Sequence, residues 1–422
     1  MPPSAEGLSK PPNRAQRRAA GRRPGKQPGG EGKHLAQVAD PDDVVTHLPG
    51  VCTGCGAGLA DAEVIGTERR QVFDVPDICV RVVEHISERR RCRCGCETKA
   101  AFPAEATAPA AYGHGVRALA AYLAVHQHLP YKRMAELFRD LLGMEISVGA
   151  LAQMVAEAGE LTEPFTDEVR YLLRHTDAVH FDETGGRVAG KLHWVHSAST
   201  AWLTLLDCHP KRGRAAMDDL GVIDQMTGIA HHDGWRPYRA YDVVHSLCNA
   251  HHLRELDEIA WISHQFWAGD MTALLCDVKA MVETAKAAGA TSLSAGTLHS
   301  IRIRYGLVIA AGRLTNPGPP SLKRHGYEKK AYNLLVRLDT QRGDVLRFAT
   351  DFRASFDNNQ AERDIRMVKL QQKISGSWRT LAGARTYCAI RSYVSTLRKQ
   401  NEDILGGLRL LFDGKPWLPV LT

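Results

Sequence analysis

Nowhere in the 422 residues is there an unbroken run of about 18 apolar side chains, the length a helix needs to cross a bilayer, so no membrane span is expected. The first residues lack the apolar stretch of a secretory signal, and a cytoplasmic, reducing setting is expected. Large apolar side chains are almost missing from residues 1 to 33. That stretch holds eight cations (Lys10, Arg14, Arg17, Arg18, Arg22, Arg23, Lys26, Lys33) against Glu6 and Glu31, with six prolines and six glycines. It cannot bury enough surface to fold. A disordered basic arm is expected over 1–48, either touching phosphates nonspecifically or simply solvated. Acids are scarce a second time between Arg363 and Lys399, where nine Lys/Arg stand against Asp364 alone. The H-E-x-x-H spacing of a zinc hydrolase is absent too. The paired histidines His231-His232 and His251-His252 support such an enzyme only weakly, because adjacent side chains point apart on a strand.

What is present is a composition 44% hydrophobic and 24% charged, with a net charge of +7. At roughly 100 to 200 residues per domain the length predicts two to four domains, and the charge favours a polyanionic partner. Six of the ten cysteines fall between Cys52 and Cys96. In a reducing compartment metal or packing must account for them. Cys52-Thr-Gly-Cys55 opens the segment, strand-like runs follow at Gln71–Val75 and Ile78–Ile86, and Cys92, Cys94 and Cys96 close it. This is the layout of a zinc ribbon over 49–104, with structural Zn2+ held by four of these five cysteines. Because the last three are spaced by one residue each, the binding pair among them is open, and reduced cysteines packed as small hydrophobes are the alternative.

Residues 105–172 read as helical. Val116, Leu119, Tyr122 and Leu123 share one face, Met134, Leu137, Phe138 and Leu141 another, and after Gly143 a segment capped by Ser147 carries Leu151, Met154 and Val155. Helix, turn and capped helix suit a helix-turn-helix that reads a DNA groove, and equally a helical hairpin that only packs. From 173 to 415 strand-like and helical stretches alternate. An extended run ends in Asp182-Glu183-Thr184-Gly185, a hairpin-like pair follows (192–198 and 201–206), and a second strand ends in Asp233-Gly234. Two carboxylates delivered to one end of a sheet can hold a hard cation such as Mg2+. Farther on, Asp357 or Asn358 can cap a helix on which Glu362, Arg366, Lys369 and Lys373 share one face. Three acids, one beside a row of cations, are the equipment of two-metal phosphoryl transfer. Each acid alone is as readily a capped turn or a solvated face.

These residues resemble the transposases of the insertion sequence sixty-six family. The matching stretches are His180-Phe-Asp182-Glu-Thr, Asp233-Gly-Trp-Arg-Pro-Tyr238, Cys248-Asn-Ala-His251, and Asp357-Asn-Asn-Gln-Ala-Glu362-Arg through Lys369 to Ser375-Gly-Ser-Trp-Arg. The cysteine ribbon and the basic arm are similar to that family as well. The resemblance implies a multidomain α/β chain. A ribonuclease-H-like mixed-sheet core with a helical insertion near 253–350 would follow the zinc ribbon and the helix-turn-helix-like domain. It implies a DNA transposase that cleaves transposon ends and transfers them to target DNA, with Asp182, Asp233 and Glu362 as Mg2+ (or Mn2+) ligands and Lys369 as a contact to DNA, beside Arg366 and Lys373. Cys248 and His251 match a Cys-x-x-His pair near the second aspartate, an auxiliary of the site or else a half-buried cysteine and a helix-start histidine. Homo-oligomers on DNA and small accessory proteins encoded alongside are the implied partners. An inactive or domesticated DNA-binding relative is the competing reading.

Overall fold

The computed structural model describes residues 35–75, 78–103, 105, 106, 108–319 and 321–420, so most of the expected basic arm lies outside the described residues. The chain divides into two compact units, Met1–Ile78 and Cys79–Thr422. In the first, Cys52 and Cys55 sit on a tight turn: the Cys52 amide donates to the Ala57 carbonyl (2.8 Å) and the Gly56 amide to the Cys52 carbonyl (2.9 Å). In the second, β1 (Arg89–Arg91) and β2 (Glu97–Lys99) form an antiparallel hairpin around Cys92, Cys94 and Cys96. The two runs expected as strands, 71–75 and 78–86, form none. Their alternation has no second layer to face: Val72 is 91% and Val82 88% exposed, and an apolar face that buries nothing does not hold a ladder.

The helical region consists of α1 (His114–Ala121), a π-helical turn (Tyr122–His126), α2 (Tyr131–Leu142), α3 (Val148–Leu161) and α4 (Glu163–Arg174). Gly143 ends α2 at φ 62°, a left-handed conformation that favours glycine, and the Ser147 hydroxyl accepts from the Ala150 amide to start α3. Met134, Phe138, Ile146, Leu151 and Met154 form the small core that α1, α2 and α3 share.

Next comes a five-stranded mixed sheet of β3 (Ala178–Val188), β4 (Lys191–Ser199), β5 (Thr204–His209), β6 (Ile229–His232) and β7 (Val244–Leu247), in the order β5-β4-β3-β6-β7. β4 is antiparallel to both β3 and β5, while β6 and β7 run parallel to β3. Both faces are covered, which is why β6 is buried throughout. Ala178 and its partner Ile229 face one apolar core with Leu256, Trp267 and Leu274; Val179 and Ala230 face the other, with Phe165 and Tyr393. A short helix, α5 (Arg214–Leu220), links β5 to β6.

After β7 the chain leaves the sheet for about one hundred residues of helix: α6 (Asn249–Ser263), α7 (Phe266–Ala287), α8 (Ala295–Thr315), α9 (Gly326–Thr340) and the short α10 (Arg342–Val345) and α11 (Arg347–Thr350). It returns through α12 (Asn359–Ser375), α13 (Leu381–Lys399) and α14 (Ile404–Phe412). α13 lies along the outer edge of β5, where the Ser392 and Thr396 hydroxyls accept from the amides of Leu206 (2.8 Å) and Thr204 (3.1 Å). An edge that would otherwise display unpaired amides is thereby closed. Among the described residues no helix is long and apolar enough to cross a membrane.

Candidate active site

Asp182 was expected at a strand end before a glycine turn, but β3 runs on through Gly185 and Gly186 and turns only at Ala189 and Gly190, both at positive φ. The two glycines serve close packing instead. A side chain at Gly186 would lie 2.9 Å from both Gln372 and Trp378, so its absence lets α12 and the following segment close on the strand. What stops at Asp182 is the pairing with β6. The ladder β3–β6 ends at His180↔His231 and β6–β7 at His232↔Leu247. The same offsets continued would bring Asp182 level with Asp233, and Asp233 level with Cys248, just past the ends of the paired strands. The Cys248 amide, donating to the His232 carbonyl at 2.9 Å, carries the pairing that step farther.

The Asp182 carboxylate accepts from the Glu183 amide (2.9 Å) and that of Asp233 from the Trp235 amide (2.8 Å). Burial, and after it the charges of Glu183, Asp233 and Glu362, push Asp182 well above the usual carboxylate range. Glu183 has Arg212 and Glu362 has Arg254, but among the described residues neither Asp182 nor Asp233 has a basic partner at ion-pair distance. Two acids side by side without a counter-ion are a site that favours a cation, and an all-oxygen donor set suits Mg2+ or Mn2+.

Glu362 comes from the first turn of α12, and the start of that helix is held by Asn358. The buried Asn358 amide group donates to the Phe181 carbonyl (2.7 Å), its oxygen accepts from His180 Nδ1 (2.9 Å), and its backbone N–H donates to Cys248 Sγ (3.1 Å). With its side chain so used, Asn358 does not cap the helix it precedes; Asp357 accepts from the Asn359 amide instead. Farther along, Lys399 reaches from α13 to Asp364 (2.8 Å), and Tyr387 donates to the Met367 carbonyl (3.3 Å). The Glu362 carboxylate lies 3.3 Å from Arg254 and 3.8 Å from His251. Arg366, Lys369 and Lys373 are exposed along the same helix, and Lys369 Nζ donates to the Gly185 carbonyl at 2.5 Å, which brings that cation onto the strand bearing Asp182. Cys248 is fully buried; burial pushes its thiol up to about 11 against the opposing amides of Asn358, His251 and Ala250.

Several residues of this region have partners that the sequence does not reveal. Glu183, on the opposite face of β3 from Asp182, accepts from Arg212 (2.6 Å) and from the Tyr238 hydroxyl (2.9 Å). Burial chiefly, and Asp233 next, raise it to about 7. The Arg212 guanidinium is sandwiched between the rings of Trp194 (4.7 Å) and Trp235 (4.0 Å). On the loop carrying Asp233, the Gly234 amide donates to His232 Nδ1 (3.0 Å), His232 contacts His245 (3.0 Å), and Tyr238 stacks on His232 at 4.4 Å. Burial holds His232 well below the usual histidine range, so this brace is neutral. A carboxylate adjacent in sequence to Asp182 was the available signal for Glu183; no spacing links it to Arg212.

Of the cysteines expected to hold zinc, Cys52 is lowered by the amides of Cys55 and Gly54, and Cys94 by the amide of Cys96 and the thiols of Cys92 and Cys96, as suits thiolates gathered on tight turns. Residues 49–96 match the zinc-finger binding domain of transposase IS66, which supports a structural zinc in this region. No curated protein matches the chain. Residues 110–386, which include the sheet, both aspartates and Glu362, match the family described as Transposase IS66 family. The chain therefore belongs to the IS66 family of transposases, and membership implies DNA binding and transposition.

Proposed function

We propose that Asp182, Asp233 and Glu362 are the catalytic carboxylates of a metal-dependent transposase that cleaves transposon ends and joins them to target DNA. The observation that supports the reading is the register of β3 and β6, which, continued two residues past His180 and His231, brings two half-buried aspartates level, both without a basic partner among the described residues. The sheet order supports a ribonuclease-H-like core: a central first strand, an antiparallel pair on one side and a parallel pair on the other. α6 to α11 then stand as a helical insertion between the second aspartate and the glutamate, and α2 with α3 as a helix pair suited to a DNA groove.

In this reading Asp182 and Asp233 would hold divalent metal, with Glu362 as the third carboxylate ligand once released from Arg254. Bound Mg2+ or Mn2+ would lower the pKa of an attacking water or 3'-hydroxyl and neutralise charge on the leaving oxygen. Lys369, with Arg366 and Lys373, holds the phosphate backbone against the strand that carries Asp182. Asn358 fixes the start of α12 and so the place from which Glu362 reaches the site. Zinc held by four of Cys52, Cys55, Cys92, Cys94 and Cys96 would be structural, since four thiolates leave no open position.

The test is cleavage of a DNA fragment carrying the element's ends, with Mg2+ supplied. Asp182→Asn, Asp233→Asn and Glu362→Gln should each reduce cleavage about a hundred- to a thousandfold, on the scale of a lost transition-state interaction, while a mobility-shift assay still shows DNA bound. Cleavage retained by any one of the three would overturn the assignment. DNA binding without cleavage by the unaltered chain, across Mg2+ and Mn2+, would favour the DNA-binding relative.

A further inference from the structure

A cluster that shares Glu362 with the carboxylate reading lies one strand over from Asp233. Cys248 at the end of β7, His251 in the first turn of α6 and Glu362 in the first turn of α12 present ligand atoms that all lie within 4.8 Å of one another. Two helix starts converge here on a strand end, so the backbone fixes all three donors. The Cys248 sulfur is held by the Asn358 amide at 3.1 Å. His251 Nδ1 is buried and has no hydrogen-bond partner among the described residues, while its Nε2 faces the Glu362 carboxylate at 3.8 Å. Two ligands on one tetrahedral zinc, with bonds of about 2.0 to 2.1 Å, stand roughly 3.4 Å apart. A shift of about half an ångström would bring His251 and Glu362 to a shared ion, and with a zinc–sulfur bond of about 2.3 Å one of at most about 1.3 Å would add the Cys248 sulfur. Arg254, the present neighbour of Glu362, is a half-exposed side chain and can swing into solvent.

We propose that Cys248, His251 and Glu362 form a second transition-metal site, apart from the cysteines of the zinc-finger region and specific for a zinc-class cation. Sulfur, nitrogen and carboxylate donors select Zn2+ or Co2+ and disfavour Mg2+, which takes oxygen ligands. Three protein ligands leave the fourth position open to water or to a phosphate oxygen. Which ion these donors hold does not depend on the phosphoryl-transfer reading; only the consequence for Glu362 rests on it. The consequence is that one carboxylate is within reach of two kinds of ion: Zn2+ at Cys248 and His251 would draw Glu362 away from a Mg2+ held by the aspartates.

The experiment uses the full chain, loaded with Zn2+ and counted by metal analysis after removal of loose ion, then repeated with Co2+ and read by absorbance. Two equivalents are expected in the unaltered chain, and one each in Cys52→Ala/Cys55→Ala, in Cys248→Ala and in His251→Ala. In the Cys52→Ala/Cys55→Ala background a thiolate-to-cobalt absorption should persist, disappear with Cys248→Ala, and survive a large excess of Mg2+. His251→Ala changes a partly exposed side chain, and provides the test if Cys248→Ala does not fold. A single equivalent lost with the zinc-finger cysteines, or a count unchanged by Cys248→Ala and His251→Ala, overturns the proposal. Asp182→Asn should keep both equivalents while losing cleavage, so failure here and failure of the catalytic reading are told apart.

Discussion

Replacing Asn358 with alanine should loosen the start of α12 far more than a one-residue truncation usually does. The side chain is 1% exposed and makes two hydrogen bonds, to the Phe181 carbonyl at 2.7 Å and to His180 Nδ1 at 2.9 Å. Alanine leaves both partners buried without a replacement, and an unsatisfied buried group costs about 1 to 3 kcal/mol. Allowing for water entering the space left behind, a net loss of about 2 to 4 kcal/mol is expected. Because the bonds join α12 to β3 and little else, the loss should appear as local opening, which native-state hydrogen exchange reads amide by amide. At 1.4 kcal/mol per tenfold, protection in the first turn of α12 and around Phe181 should fall about 30- to 1000-fold, while α7 and α8 keep theirs. Asn358→Asp is the sharper variant: it is nearly isosteric, still accepts from His180, but turns an acceptor toward the Phe181 carbonyl and adds a buried charge. It should lose at least as much protection as alanine, and cleavage with it. Unchanged exchange at α12 in both variants would refute the claim that this residue anchors the Glu362 helix.

Glu183 and Arg212 give a prediction of opposite signs. Glu183 is raised to about 7 in the fold, so its contribution to stability declines as pH rises from 4.5 toward 7. Without added divalent metal, Glu183→Gln should therefore raise the melting temperature at pH 8 and change it little at pH 4.5. Arg212→Ala, which strands the buried carboxylate, should cost about 3 to 5 kcal/mol; equal effects of the two variants at pH 8 would disprove the argument. His128 and His196, each 2% exposed, behave the other way. Burial lowers both to about 4, so the unfolded chain binds the extra protons and stability drops as pH falls from 6.5 toward 4. At 1.36 kcal/mol per pKa unit the loss is at most about 3.4 kcal/mol for each. Thermal melts from pH 7.5 to 4.5 should show a shallower decline in His128→Gln/His196→Gln than in the unaltered chain, and parallel curves would refute it.

Much of the fold was legible because local chemistry and packing agree. Leu151, Met154 and Val155 at helical spacing behind Ser147 became α3, and the run before Gly234 became β6. The pattern misled at 71–75 and 78–86, where alternation is present but no layer covers it. It misplaced the turn after Asp182 as well, because Gly185-Gly186 reads as a turn locally and is used for a close approach by residues almost two hundred positions away. The sequence singles out Asp182, Asp233 and Glu362 as candidates and places two of them at one end of a sheet, but it does not give the register between their strands. The strand offsets that would bring Asp182, Asp233 and Cys248 level are set by pairing and leave no local trace. The partners of Glu183 and the task of Asn358 were hidden for the same reason: each bond spans tens to hundreds of residues.

The hydroxyls that close the edge of β5 have a further consequence. Ser392 and Thr396 are four apart on a helix, a rise of about 6 Å, and the amides they meet are two apart on a strand, a rise of about 6.6 Å. The two repeats are nearly commensurate, so α13 acts as a surrogate sixth strand whose teeth are side chains. A single inserted residue between them would turn one tooth by about 100° and leave an amide bare. Lys399 and Tyr387 of the same helix also clasp α12. Protection of the sheet from foreign strands and placement of Glu362 thus hang on one element, and a lesion in α13 should surface as aggregation and lost cleavage together.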